Sequence, residues 1–407
     1  MKICLLTTST TVHQLGGTEV HAETLAAEAA RQGHTVFLLT TAHPAGLRAE
    51  NKNGYSVTYL EGTCHTMSRR EAPAWWAASA KAAAELAGSQ GIDVFWSENF
   101  SGLAYAAIPA AQRRPVLSIV QGLAVRGEIA SNLGRVSTPG ELLYFLTRYA
   151  AQTLFYYIPR FRSMVSDSDL LVAVSRESAE ALAREFPLSA AKTRVIFNPV
   201  DTELFRPDPA LRAETRRKLG FSDQTQVALM SGVIHKQKGM HIGLAAFTGL
   251  TGKHPAARLL IAGDGPQLEE LRAAAAGLGD RVLFCGSIKN SEMPAYYNAA
   301  DIYINPTMRL EGLPLVMAEA LACGLPCVVS RIGGTGSTIE DGVNGFFSKA
   351  GSREDLELKL SALLADKELR LRFSAEARKK AVECFDLKKN AAAYAAASEE
   401  LLAERRL

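Results

Sequence analysis

Asn305-Pro306-Thr307-Met308-Arg309-Leu310-Glu311-Gly312-Leu313-Pro314-Leu315-Val316-Met317-Ala318-Glu319-Ala320-Leu321-Ala322-Cys323-Gly324-Leu325-Pro326 is the stretch on which the fold turns. It continues the apolar run Ile302–Asn305 and leads into a second one, Cys327–Ser330, so it reads as strand, glycine-bearing loop, helix and strand. Pro314 suits the first helical position, where its fixed φ is pre-organised and its missing N–H would have no partner. The amino end of such a helix attracts anions. The N–H groups of Gly312 and Leu313, with the helix dipole behind them, can hold a diphosphate without a cation.

Within the same element Glu319 lies in the helix, and its two carboxylate oxygens can accept from both vicinal hydroxyls of a ribose. Glu311, in the preceding loop, is placed to accept from a second sugar. Taken singly, these are a helix-surface charge and a loop charge. Their shared strand–loop–helix setting is what favours a ligand role.

Outward from this element, short apolar runs alternate with helical patterns along the whole chain, the signature of βα units and a parallel sheet. The second half shows strands at Val227–Ser231, Ala257–Ala262, Val282–Cys285, Ile302–Asn305 and Cys327–Ser330. The first half shows Ile3–Thr7, Val36–Thr40, Val57–Tyr59, Val94–Trp96, Val116–Val120 and Leu170–Ala173, with an amphipathic helix over Thr18–Gln32 that stops at Gly33. Turn residues at Asn198-Pro199, then Pro207 and Pro209, mark a joint. The expected division is a doubly wound domain over 1–198, a second over 199–385, and a terminal helix over 386–407 that returns to the first. Two such units are predicted to bind ligands at the carboxyl ends of their strands, across the crevice between them.

Composition narrows the class. A chain of 407 residues, 47% apolar and 21% charged, suits two globular domains, and a net charge of +3 without a basic run argues against nucleic acid. The 6 cysteines are scattered without C-x-x-C spacing and read as thiols in a reducing compartment, not as a metal site. The amino terminus opens directly on an apolar strand and lacks a leader pattern. Leu142–Ile158 is interrupted by Arg148 and Gln152 and is too short to span a bilayer. A cytoplasmic protein is expected, with no cofactor.

The Glu311-x₇-Glu319 element in its setting resembles the retaining glycosyltransferases of family four, the group 1 glycosyl transferases. Similar elements are Gly16-Gly17 with Gly33-His34, Asn198-Pro199-Val200-Asp201, Lys238-Gly239, Ala262-Gly263-Asp264-Gly265-Pro266, and Gly333-Gly334 with Asp341-Gly342-Val343-Asn344-Gly345. The resemblance implies the α/β GT-B fold, with two Rossmann-like doubly wound domains facing an interdomain cleft. It also implies metal-independent transfer of a hexose or hexosamine, with retention, from a nucleoside-diphosphate sugar, a UDP-sugar in particular. The acceptor would be a hydroxyl of a glycan or glycolipid, as in cell-surface polysaccharide or lipopolysaccharide synthesis. Lys238, Glu311 and Gln121 then stand at catalytic positions. Glu319, Gly312, Leu313, Pro314, Gly16, Gly17, Gly232 and Lys236 face the donor, and His13, Glu98 and Asn99 are candidates for the acceptor or sugar side.

Two positions depart from the family pattern. The usual G-R-x₄-K-G reads Gly232-Val233-Ile234-His235-Lys236-Gln237-Lys238-Gly239, so a phosphate contact is lost or supplied by Lys236, His235 or Arg331. Gln121 stands where a histidine is usual, and an amide cannot take a proton near neutral pH. A front-face mechanism, in which the leaving phosphate receives the acceptor proton, does not need that base. These departures keep a second reading open: a sugar-nucleotide-binding scaffold or regulatory protein with little catalysis. A sugar-nucleotide epimerase is disfavoured for want of an acid/base pair.

The least family-like segment runs from Arg126 to Arg162. It joins an aromatic cluster (Tyr144, Phe145, Tyr149, Phe155, Tyr156, Tyr157) to Arg135, Arg148, Arg160 and Arg162. Its plain reading is a buried helix pair shaping the acceptor side. Its alternative is that apolar and basic groups together hold a lipid-linked acceptor or make peripheral contact, through 142–162, with an anionic membrane surface at its inner face.

Overall fold

The computed structural model describes residues 1–405 except 15, 69, 134, 135 and 137; Arg135 therefore lies outside the described residues. The chain divides into two compact units. One comprises Met1–Ile129, Thr138–Pro199 and the chain from Leu387; the other is mainly Val200–Asp386.

The first unit is built on β1 (Lys2–Leu6), β2 (Thr35–Thr41), β3 (Ala49–Lys52), β4 (Tyr55–Leu60), β5 (Val94–Glu98), β6 (Val116–Val120), β7 (Leu170–Ala173) and β8 (Thr193–Val195). They form one sheet in the order β3-β4-β2-β1-β5-β6-β7-β8, parallel except for the β3–β4 pair. The central strands are buried on both faces, which is why they read as mainly apolar runs. The sheet was expected without β3 and β8, short strands at its two edges.

In this unit the terminal helix Leu387–Glu404 packs on the helix Gly17–Arg31. Trp96 Nε1 donates to Ser398 Oγ at 2.9 Å, and Asn390 Nδ2 to Phe197 O at 2.9 Å. Both donors are buried, so each bond replaces one that water would otherwise supply.

The second unit carries β9 (Gln226–Ser231), β10 (Ala257–Ala262), β11 (Val282–Gly286), β12 (Ile302–Asn305), β13 (Cys327–Ser330) and β14 (Gly345–Ser348). Their order is β11-β10-β9-β12-β13-β14, all parallel. Ala228 and Met230 of β9, Leu259 and Ile261 of β10, and Ile302 and Ile304 of β12 share one core with the helices Met240–Leu250 and Arg353–Ala365. β14 is a further edge strand that the apolar pattern missed.

Strand order decides where function can sit. In the first unit the winding reverses between β1 and β5, and in the second between β9 and β12. At such a point the two following loops splay apart and leave a crevice at the carboxyl ends. Glu98, Asn99, His13 and Gly16 flank the first reversal; Lys238 and Glu311 flank the second.

Candidate functional site

The floor of the second unit's crevice is made of backbone packed on backbone. Gly232, which ends β9, has φ 122°. A Cβ on Gly263 would lie 1.9 Å from Gly232 O, and one on Gly265 2.4 Å from Ile234 O. Gly239, at φ 67°, would place a Cβ 2.0 Å from Pro306 O. No side chain fits at 239, 263 or 265, and the positive φ of Gly232 disfavours one there, so the glycine pattern is a requirement of the turns.

Above this floor the Lys236–Lys238 turn is pinned to the loop after β12. Met308 N donates to Gln237 O at 2.8 Å, and Thr307 Oγ1 at 3.3 Å. Lys238 Nζ then reaches Glu311 Oε1 at 2.6 Å. Gly334 N holds Glu311 O at 2.8 Å. The second carboxylate oxygen, Glu311 Oε2, is buried and has no hydrogen-bond partner among the described residues. Leaving such an acceptor unmet is costly, which marks it as a place for an incoming donor such as a hydroxyl.

The helix beyond runs Leu315–Ala322. Pro314 occupies its N-cap position with ψ 118°, one residue before the helical position expected for it, and no side chain caps the end. Gly312 and Leu313 are buried just ahead of it. Glu319 is only 7% exposed. Asn290 Nδ2 donates to its Oε1 at 3.0 Å and Tyr297 Oη to its Oε2 at 2.8 Å. Burial raises the Glu319 pKa, and the bonds from Tyr297 and Asn290 oppose that rise. Each carboxylate oxygen keeps a further lone pair for a ligand. The Tyr297 hydroxyl also lies 3.2 Å from Ser231 Oγ, which is 3.1 Å from Tyr303 Oη. Neither Asn290 nor Tyr297 was anticipated.

Other cations in this unit differ in availability. Val233 is 55% exposed at the position where an arginine was expected, and Lys236 is exposed. His235 Nδ1 accepts from Gln237 N at 3.3 Å, which makes it part of the turn. The Arg331 guanidinium lies 4.9 Å above the Phe347 ring. Arg309, exposed in the same loop as Glu311, was passed over in the sequence although it sits inside the decisive stretch.

The candidates of the first unit form a network of their own. Gln121 Nε2 donates to Glu98 Oε2 at 3.0 Å, Asn198 Nδ2 donates to Gln121 Oε1 at 3.0 Å, and Asn99 Oδ1 accepts from Gln121 N at 3.1 Å. The other oxygen of Glu98 lies 2.6 Å from His21 Nδ1. Glu98, expected on the acceptor side, is 1% exposed with both oxygens engaged, one by Gln121 and one by His21. Asn99, at φ 47°, belongs to the same network.

His13 was also an acceptor-side candidate. Its Nδ1 lies 3.1 Å from Thr10 N and its Nε2 3.1 Å from Ala42 O, so both ring nitrogens tie the loop after β1 to the end of β2. Burial lowers its pKa, consistent with a neutral ring. Gly16 caps the helix Gly17–Arg31 in extended conformation, and a Cβ there would meet Glu19 Oε2 at 2.4 Å. Glu19 accepts from Ser9 Oγ at 2.5 Å and Gln14 Nε2 at 2.7 Å. The Gly16–Gly17 helix end thus carries an anion of its own, a feature hidden in the sequence because Glu19 looks like an ordinary first-turn acid.

With this geometry in place, residues 212–380 match the family described as Glycosyl transferases group 1, and residues 15–204 match Glycosyltransferase Family 4. The chain belongs to the group 1 glycosyltransferases. Among group 1 relatives, a GDP-mannose-dependent alpha-(1-6)-phosphatidylinositol monomannoside mannosyltransferase of Mycolicibacterium smegmatis is 34% identical over 213 residues, covering 50% of this chain and 55% of the relative. A D-inositol 3-phosphate glycosyltransferase of Geodermatophilus obscurus is 32% identical over 255 residues, covering 59% of this chain and 55% of the relative. The chain thus spans about half the length of the curated relatives it matches.

Solved structures share the group 1 fold more widely. Sucrose-phosphate synthase from Thermosynechococcus elongatus superposes with a TM-score of 0.79 at 21% identity, over 99% of this chain and 100% of that one. Anabaena HepE in complex with UDP gives 0.74 at 20% identity, over 98% and 100%. The fold is therefore GT-B, with the two Rossmann-like parallel-sheet units that the sequence led us to expect.

Proposed function

We propose that this group 1 glycosyltransferase moves a hexose or hexosamine from a nucleoside-diphosphate sugar to a hydroxyl of a glycan or glycolipid, with retention and without a metal ion. The observation that carries the reading is the Lys238–Glu311 pair beside an uncapped helix end, with the buried acceptor Glu311 Oε2 facing no partner among the described residues. In this reading Lys238 and the helix amino end stabilise the leaving diphosphate. Glu311 positions the transferred sugar and Glu319 the ribose. The bond from the anomeric carbon to the diphosphate oxygen breaks as the acceptor oxygen bonds the same face, and the acceptor proton passes to the departing phosphate. Gln121, fixed by Glu98 and Asn198, orients a substrate hydroxyl and takes no proton.

Uridine was the expected nucleoside, and the name of the 34%-identical mannosyltransferase carries GDP-mannose, so UDP-sugars and GDP-mannose are the two donor arms of the assay. Alanine at Glu319 is expected to raise the donor KM about tenfold to a hundredfold, because two charge-assisted hydrogen bonds to the ribose are lost. Glutamine at Glu311 should instead lower kcat by about a hundredfold with little change in KM. Unaltered transfer in both variants would sink the assignment. Val233 and Gln121 keep a scaffold reading in play. Calorimetric binding of a donor, with neither transfer nor slow donor hydrolysis in the wild type, would favour it.

Tyr297 gives this reading a pH signature. The phenol lowers the Glu319 pKa against the effect of burial. Removing it in Tyr297→Phe should therefore raise that pKa, so that the carboxylate needed by the ribose protonates at higher pH. Calorimetric affinity for the nucleoside diphosphate should match wild type under alkaline conditions and weaken earlier as pH falls. Parallel pH profiles would show that Tyr297 has no part in holding Glu319.

A further inference from the structure

The segment Pro139–Asp167 in the first unit is helical throughout and contains two π turns, Phe145–Tyr149 and Thr153–Tyr157. Its inner side is anchored. Tyr149, Thr153, Phe161 and Met164 are buried, the Tyr149 hydroxyl donates to Glu128 O at 2.9 Å, and the Tyr156 hydroxyl to Met67 O at 2.9 Å. The plain expectation of a wholly buried helix pair fails on the outer side. There Leu142, Leu143, Tyr144, Leu146, Leu154 and Phe155 are between 43% and 73% exposed.

The spacing makes this a face and not a scatter. Leu143, Leu146, Ala150 and Leu154 follow helical spacing, and Tyr144, Ala151 and Phe155 form the neighbouring row. Folding leaves these bulky apolar groups in water although the other side of the same helix is packed. Contiguous exposure of this kind marks an interaction surface, and π turns gather at functional places.

Charge selects the occupant. Arg148 and Arg162 are exposed on the same segment and form no ion pair among the described residues. The acid of Pro139–Asp167 nearest the apolar rows, Glu141, is engaged in a capping box with Thr138. Two copies meeting through this face would bring Arg148 and Arg162 towards a second such pair, with Glu141 already holding Thr138 N. A surface of apolar chains and phosphates answers both features, with tyrosine suited to the boundary between them. No helix among the described residues is long and apolar enough to cross a membrane, so the contact lies along the surface.

We propose that the outer side of Pro139–Asp167 rests on an anionic phospholipid membrane, with its leucines and Phe155 in the headgroup layer and Arg148 and Arg162 against lipid phosphates. The proposal is independent of the donor-site reading, since vesicle binding requires no transfer.

Flotation of the full chain with phosphatidylcholine vesicles, and with vesicles also containing phosphatidylglycerol, tests it. Wild type should float with the anionic vesicles, bind the neutral ones weakly, and come off as salt rises. Leu146→Ser combined with Phe155→Ser should lower partitioning about tenfold or more on both lipids. Arg148→Ala combined with Arg162→Ala should lower it about tenfold on the anionic vesicles alone. All these side chains are exposed, so thermal unfolding and nucleoside-diphosphate binding should stay at wild-type values. Wild type that ignores anionic vesicles overturns the proposal, as does equal flotation of the serine variant. A concentration-dependent dimer in sedimentation velocity, dissolved by the serine substitutions, would assign the face to a second copy instead.

Discussion

Replacing Lys238 by alanine is expected to lower kcat/KM for glycosyl transfer by about a thousandfold, corresponding to ~4 kcal/mol of transition-state stabilisation. Two features make this cation worth more than one of a redundant pair. Val233 stands where a second phosphate-binding cation would be, and its exposed side chain offers only hydrocarbon. Lys238 is also held by Glu311 at 2.6 Å on a turn fastened to the loop after β12, so its charge is pre-aimed and needs little reorganisation as the leaving group becomes more negative. Its removal further leaves Glu311 without its cation.

Arginine at 238 should preserve nucleotide binding while lowering turnover, since a planar fork replaces a compact point charge. In the alanine background, Val233→Arg should recover about tenfold by restoring a cation to the first turn. Steady-state rates, with calorimetry of the nucleoside diphosphate alone, separate the binding and chemical parts. Transfer by the alanine variant within about threefold of wild type would remove Lys238 from the mechanism.

Alanine at Gly239 should be among the most destructive single-methyl changes in the donor half. Its Cβ would lie 2.0 Å from Pro306 O, a backbone atom that cannot rotate away, and its φ of 67° already disfavours any side chain. Relief requires the turn and the loop after β12 to part, which separates Lys238 from Glu311 as well as loosening the packing beneath them. A loss of about 3–4 kcal/mol is expected, lowering Tm by about 10 °C for a unit of this size. Nucleotide binding should be lost even at temperatures where the variant remains folded. Gly277→Ala is the control: nothing lies within 4 Å of its added Cβ, so stability should be unchanged or slightly raised. Equal melting of the two variants would contradict the steric account.

Most strands were legible because a central parallel strand is buried on both faces and therefore mainly apolar, as β5 and β6 are. β3 was not. Its Ala-Glu-Asn-Lys sequence is half-exposed and becomes a strand by pairing with β4 at the sheet edge, so the information lies in the partner. β8 and β14 were lost for the same reason, being short strands at edges.

The candidate site divides in a similar way. Glu311, Glu319 and Lys238 stand in loops and helices with local signatures. Tyr297 and Asn290, which hold Glu319, lie 22 and 29 residues away from it and meet it only through the sheet order. Glu98 and His13 were candidates for the acceptor or sugar side because sequence shows the residue type but not its partners. Their hydrogen bonds, to Gln121 and His21 in one case and to Thr10 and Ala42 in the other, appear only in the fold.

The reversal of winding between β9 and β12 also sets a timetable. Lys238 and Glu311 are 73 residues apart, and β10 and β11 must be laid down on one side of β9 before β12 is made and docks on the other. A nascent chain that has just completed β11 carries the lysine turn but not the carboxylate that aims it. In the proposed donor reading the site is therefore incomplete until the loop after β12, the fourth strand of this unit, has been synthesised. Ligand present during translation should leave early domain folding untouched and act as a late-acting latch on the finished sheet.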